Sequence, residues 1–368
     1  MRYSLSSRFQ GVLLGAALGE ILGAQCQLVQ IKQPPVKPPL RWADVSRWGF
    51  SDLAPRDSTV IPAGWGHVAV RLTKGLIQGG SDESWIKEVL DVLGAPVQPS
   101  NPEQNPSEQK AASTQSFLQT QSLPIDAGLA IATLPIALFF HADPDQLEQE
   151  LQQADKLHHR LELSNAVLAI GYAISLALRE QLDPAQLIAE IMEELELKRD
   201  RSTATPDPSP AQFSFVEQLQ FVQTLSQVSL SSAIAQLRHY SRKPEVASDL
   251  LEIAIAFHCF LSTPEDFRLS VVRAAQLHKN PQTTCLTAAL SGAYNGVSSI
   301  PLSWRSALSG DSTYSLLSHL WGVASETELQ DLSDQLLAAW SGAFDLAHLL
   351  NYPGQTFAIA APKVIRPD

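Results

Sequence analysis

Apolar residues recur at helical spacing along most of the chain, and alternating strand patterns are scarce. The stretch FQGVLLGAALGEILGAQC, Phe9 to Cys26, places glycine at every fourth position: Gly11, Gly15, Gly19 and Gly23. That spacing keeps all four on one stripe of a helix. Each glycine lowers helix propensity by about 1 kcal/mol relative to alanine. The stripe therefore predicts a neighbouring helix whose backbone packs close enough to offset the loss. NAVLAIGYAISLALRE, Asn165 to Glu180, is apolar on most sides and predicts a buried central helix. ASDLLEIAIAFHCFL and TTCLTAALSGAYNGV predict two more, and LSDQLLAAWSGAFDLAHLL a late one. Asp143-Pro144, Asp183-Pro184 and Thr263-Pro264 each read as cap and first helical residue, with an acid or amide (Gln146, Gln186, Asp266) three positions after the cap. The best strand candidate is the tail TFAIAAPKVI. The pattern predicts an all-α fold in a single domain over residues 1–368.

Polar stretches interrupt the helices at residues 95–124 and 199–212, both rich in Pro and small polar residues. They are expected to be flexible surface loops. Similar apolar helices lie on either side, so neither divides the chain. Residues 31–62 are irregular but carry Trp42, Trp48 and Phe50, which predicts a segment pinned to the body. With 38 acidic and 26 basic residues the net charge is -12, and no run of Lys and Arg stands out. That balance argues against nucleic-acid binding. The odd count of three cysteines, Cys26, Cys259 and Cys285, makes neither a disulfide framework nor a zinc motif and fits a reducing compartment. Arg2 and Arg8 precede an apolar run, as in a signal peptide. The run is interrupted by Glu20, lacks a clean cleavage site and falls short of the ~20 residues of a membrane span. A cytoplasmic protein with a buried first helix and no membrane span is expected; a membrane-associated protein using that helix is the weaker reading.

RFQGVLLGAALGEILGA resembles the first helix of the ADP-ribosylglycohydrolase family, R-x-x-G-x-L-x-G-x-A-x-G-D-A-L-G-A. LTAALSGAYNGVSSIP is similar to its second glycine signature, and GLAIATLPIALFF to its apolar helix with a central proline, here Pro135. DKLHHRLELSNAVLAI resembles the family's Thr-His turn, with His158 and His159 in those places. The four matches stand in the family's order from Arg8 to Pro301. The resemblance implies a compact all-α domain whose cleft holds two magnesium ions and cleaves the glycosidic bond between ADP-ribose and a protein side chain.

Magnesium requires oxygen ligands, chiefly carboxylates, and a pair of ions orients the ribose and activates water. The family draws its ligands from an early Thr-Asp-Asp-Thr motif and a late Asp-x-Asp-Thr motif. If Trp65 holds the family's tryptophan position, the early motif falls on Gly66, His67, Val68 and Ala69. The late motif falls on Lys279, Asn280, Pro281 and Gln282, and the preceding glycine pair on Leu277 and His278. The glutamate that follows the family's first helix becomes Gln27, and the aspartate of that helix becomes Glu20. No acid lies between Thr59 and Gly80, or between Arg268 and Ser309, so a shift of a residue or two restores none. The magnesium pair is expected to be lost.

The candidate cleft residues are therefore Glu20, His67 and His159, with Gln27, Trp65, Gly66, His278, Lys279 and Asn280 around them. His67 reads as a partly buried, hydrogen-bonded histidine, or else as a metal-independent base. Glu20 reads as a buried acceptor, or else as a cleft acid. Cys259 and Cys285 read as inert core thiols. Trp42, Trp48 and Trp65 anchor a loop or stack on a base. The expectation is a non-catalytic protein that binds a protein partner or a nucleotide-like ligand. The alternative is an active hydrolase with a metal-poor site built from His67, His159 and Glu20.

Overall fold

The computed structural model describes residues 3–32, 64–79, 126–155, 160–201, 213–277, 280–306, 308 and 316–342. Its α-helices run in order α1 (Leu5–Lys32), α2 (Trp65–Gly79), α3 (Leu129–Ala132), α4 (Leu134–Phe139), α5 (Pro144–Asp155) and α6 (Leu161–Leu178). Then come α7 (Leu187–Arg201), α8 (Phe215–Thr224), α9 (Leu230–Tyr240), α10 (Ser248–Ser262) and α11 (Phe267–Leu277). The last four are α12 (Pro281–Asn295), α13 (Leu302–Ser306), α14 (Leu316–Trp321) and α15 (Glu326–Trp340). Among the described residues there is no strand, so the fold is all-α as expected. The calls on Trp42, Trp48, His158, His159, His278, Lys279, residues 95–124 and the tail strand lie outside the described residues, as do 33–62 and 202–212.

The glycine stripe of α1 meets α12 in an antiparallel seam. A methyl on Gly11 would strike the Gly292 carbonyl, and one on Gly292 would strike the Gly11 carbonyl. A methyl on Gly15 would stand 2.7 Å from the Ala288 oxygen, and one on Gly19 2.5 Å from the Thr284 oxygen. Gly23 lies against Pro281. The obstacles are backbone atoms, so the helices would have to separate to admit a side chain. Gly11→Ala is therefore expected to destabilise the protein by about 2 kcal/mol through overpacking, although alanine gains about 1 kcal/mol of helix propensity. Gly171 in α6 is the contrast, because its methyl would meet only the movable Cδ1 of Leu151 at 2.6 Å. Gly171→Ala should stay within about 1 kcal/mol of the parent, and urea unfolding of the two variants compares them.

The α1–α12 pair is the spine. α6, α10 and α11 pack on α12, while α14 and α15 pack on α1 and α2 packs against those two. One apolar cluster extends from Phe9 through Leu176 and Phe257 to Leu336. Arg8, buried in α1, donates from its guanidinium to the Ala177 carbonyl and lies 3.5 Å from Glu180, tying α1 to the end of α6. Among the described residues two helices, Leu5–Gln27 and Leu161–Leu178, are long and apolar enough to cross a membrane, but their apolar windows are 94% and 72% buried within the fold. The first is longer than the apolar run suggests, because the helix carries polar residues at both ends.

Three boundaries differ from the sequence reading. Pro135 splits its apolar run, so α3 and α4 meet at Thr133 rather than forming one helix. The start at Thr263-Pro264 is displaced to α11, where the Asp266 carboxylate caps the Leu269 N–H at 2.8 Å and the Thr263 hydroxyl pairs with Ser270. Aspartate is among the strongest N-cap residues, and here it outcompetes the threonine three positions earlier. At Asp183 the chain makes a turn before α7 begins, and that helix runs through Arg199 to Arg201, into the stretch read as a loop. Asp143 does cap α5, accepting from Gln146 N–H at 3.1 Å.

Candidate functional site

Glu20 sits on α1 beside the glycine seam and is 4% exposed. Its partner was invisible in the sequence: the indole N–H of Trp321, at the end of α14, donates to Glu20 Oε2 at 2.7 Å. Trp321 is itself fully buried. The start of α2 is shaped around this pair. A methyl on Gly64 would stand 2.5 Å from Glu20 Oε1, and one on Gly66 would stand 2.5 Å from Trp321 Cδ2. Trp65 is buried, its ring against Gly128. Burial pushes the Glu20 carboxyl up to about 8, against a smaller opposing pull from the indole N–H.

His67 follows one residue later on α2. It is half-buried, and its Nε2 lies 2.6 Å from the His319 carbonyl oxygen. A carbonyl can only accept, so Nε2 carries the proton. Gly322, with φ +68°, leaves α14 so closely over the ring that a methyl there would stand 2.5 Å from His67 Nδ1. Burial lowers the histidine below its ordinary value, offset in part by the His319 carbonyl. The expected half-buried, bonded histidine is what the geometry shows. Gln27 lies within α1, exposed to solvent, rather than in a turn after it.

A second polar cluster surrounds the start of α12. Asn280 caps that helix, accepting from Gln282 N–H at 2.8 Å, and its side chain also bonds Glu252. Gln282 Nε2 donates to Asp126 Oδ1 at 2.9 Å, and the same oxygen accepts from Gly128 N–H at 2.8 Å. Asp249 pairs with Arg160 at 2.7 Å. Burial, reinforced by the charges of Asp126 and Asp249, pushes the Glu252 carboxyl up to about 8, while the Asn280 bond opposes this. Asp126, Asp249 and Glu252 were not singled out from sequence. The only signal was Glu252 itself, an acid inside the apolar run of α10.

Each of these carboxylates already has a partner. Asp126 Oδ1 takes two N–H donors, Asp249 is paired with a guanidinium, and Glu252 is bonded by an amide. Among the described residues no three of His, Cys, Asp and Glu are placed to hold one ion. Glu20 carries an indole N–H on its Oε2. Cys26, Cys259 and Cys285 are buried and in no disulfide. Burial pushes Cys259 and Cys285 well above the ordinary thiol range, which suppresses the nucleophilic thiolate.

The ADP-ribosylglycohydrolase family model matches residues 1–343. Among solved structures, one described as an ADP-ribosylglycohydrolase-related protein complex aligns with a TM-score of 0.52 and 20% identity, covering 91% of this chain and 99% of that one. At that identity the likeness speaks for the fold. No curated protein matches the chain by sequence.

Proposed function

The chain belongs to the ADP-ribosylglycohydrolase family, and from that premise we propose that it is a non-catalytic member, a cytoplasmic binding or scaffold protein. The observation that carries this reading is the Trp321–Glu20 contact. The acid remaining at the family's first-helix position is buried beneath an indole and bonded to its N–H. The buried indole fills the space beside that carboxyl. Magnesium, which the family's chemistry implies, would meet donors already engaged: Asp126 Oδ1 by two N–H groups, Asp249 Oδ2 by a guanidinium and Glu20 Oε2 by an indole N–H. A role in binding asks only for the packing residues, and those are present in the α1–α12 seam. The occupant is a protein partner in preference to a nucleotide-like ligand, because the indole fills the space beside Glu20.

Calorimetric titration with magnesium is expected to show no tight binding, and incubation with ADP-ribosylated arginine or serine peptides to release no ADP-ribose. Release that requires magnesium would overturn the proposal. Metal-independent release abolished by His67→Ala would instead establish the hydrolase built on His67, His159 and Glu20.

A further inference from the structure

Away from the α1–α12 spine, α8 and α9 enclose an open groove of ≈ 480 Å³ lined by Phe221, Ser232, Gln236, His239, Tyr240 and Lys243. Its aromatic wall is ordered. Phe221 stacks on Tyr240 with centroids 3.6 Å apart and planes 7° apart, and Phe213 continues the stack at 5.9 Å and 11°. Lys243 Nζ stands 5.1 Å from the Tyr240 centroid and 5.7 Å from that of Phe213. Arg238, His239, Arg242 and Lys243 fall within six positions, all exposed. Tyr240 and Ser241 separate its two basic pairs, so no continuous run of Lys and Arg marks the cluster in the sequence. The end of α9 accounts for part of it, since cations favour helix C-termini. Yet among the described residues none of the four forms a salt bridge. Glu217, the acid that bears on Tyr240, is committed to the cap of α8, where it accepts from Ser214 N–H at 2.6 Å.

We propose that this groove docks an acidic segment of a partner protein that carries an aromatic or aliphatic anchor. The anchor lies against the partly exposed Phe221, which the buried Tyr240 backs, and its flanking carboxylates meet Arg238, Arg242 and Lys243. Charge complementarity selects the occupant, because unpaired cations on a chain of net charge -12 mark a local site for anions. The groove is open, whereas small-molecule sites enclose most of their ligand, so an extended peptide suits it better. A polyanionic strand would carry charge well beyond the four-cation cluster and meet repulsion from the rest of the molecule, whereas a short acidic segment confines its charge to the cluster. The proposal is independent of whether the Glu20 region is catalytic.

The test uses the full chain and labelled synthetic peptides of equal length: one alternating Glu with Phe and Leu, the same with Gln for Glu, the same with Lys for Glu, and a single-stranded oligonucleotide for comparison. Fluorescence anisotropy should show binding by the acidic peptide, weakened by added salt. The double variant Arg238→Glu/Lys243→Glu should weaken it by roughly tenfold or more. The circular dichroism melt should hardly move, because both side chains are exposed. A salt titration of the unmutated protein gives the same answer should that variant fold poorly. Equal binding of the Gln peptide, preference for the oligonucleotide, indifference to charge reversal, or no binding of the acidic peptide would each overturn the proposal.

Discussion

Trp321→Ala is expected to destabilise the protein by about 3–5 kcal/mol, the usual range for removing a buried tryptophan. The upper half of that range is the sharper expectation. Trp321 is completely buried, and Gly66, which faces it from α2, has no side chain to move into the space. The change also strips Glu20 of the donor at its Oε2, and an unsatisfied buried polar group costs a further ~1–3 kcal/mol. Trp321→Phe divides these effects, since it fills most of the volume and removes only the N–H. Its loss should be clearly smaller than that of the alanine variant. An apolar cavity of this kind binds small aromatic molecules. Indole added to Trp321→Ala should therefore raise its melting temperature while leaving the parent unchanged. A melting curve for Trp321→Ala that overlays the parent would remove the plug on which the non-catalytic reading rests.

Much of the fold can be read along the chain, because helices announce themselves locally. Four glycines at a spacing of four predict close backbone approach whatever the neighbour is, and α12 supplies it with Gly292, Ala288 and Thr284. The buried α6 is visible in its unbroken apolar composition. The boundaries that slipped did so for local reasons of a finer kind. At Thr263, two cap residues compete within four positions, and the aspartate takes the helix. At Pro135, a missing N–H in mid-run produces two short helices where the composition suggests one.

The candidate site is legible only by half. Glu20 and His67 are visible as positions, because glycine signatures and a tryptophan set the register. Their partners are not visible, because Trp321 and His319 come from about 250 to 300 residues further along, with no local pattern to tie them. The cluster at the start of α12 shows the same limit. Searching the two motif segments for acids finds none, yet the fold brings Asp126 from a turn and Glu252 from a different helix to Asn280 and Gln282. The partners of those acids, like the acids' proximity to one another, become apparent only in three dimensions.

Glu20→Gln is expected to reverse sign with pH relative to the parent. The carboxyl lies near 4.5 in the unfolded chain and at about 8 in the fold, raised by burial. Below 4.5 it is neutral in both states and contributes no penalty. Between 4.5 and 8 the unfolded chain gives up the proton that the folded protein keeps, so stability falls as pH rises, by on the order of 1 kcal/mol per unit. Above 8 both states are ionised and the loss levels off. Glutamine carries no proton to lose, and its amide oxygen still accepts from the Trp321 N–H. The variant should therefore match or slightly trail the parent near pH 4.5 and exceed it by several kcal/mol near pH 8.5, an order-of-magnitude figure from the same linkage. Only the difference between the two proteins isolates Glu20. Glu252, also raised to about 8, slopes in the same direction in both. His141 and His258, lowered to about 4, make both lose stability as pH falls from 6.5. Urea unfolding of parent and variant across that range measures the difference directly. A constant gap at every pH would mean that Glu20 ionises freely in the fold, as an acid open to solvent or to a cation would.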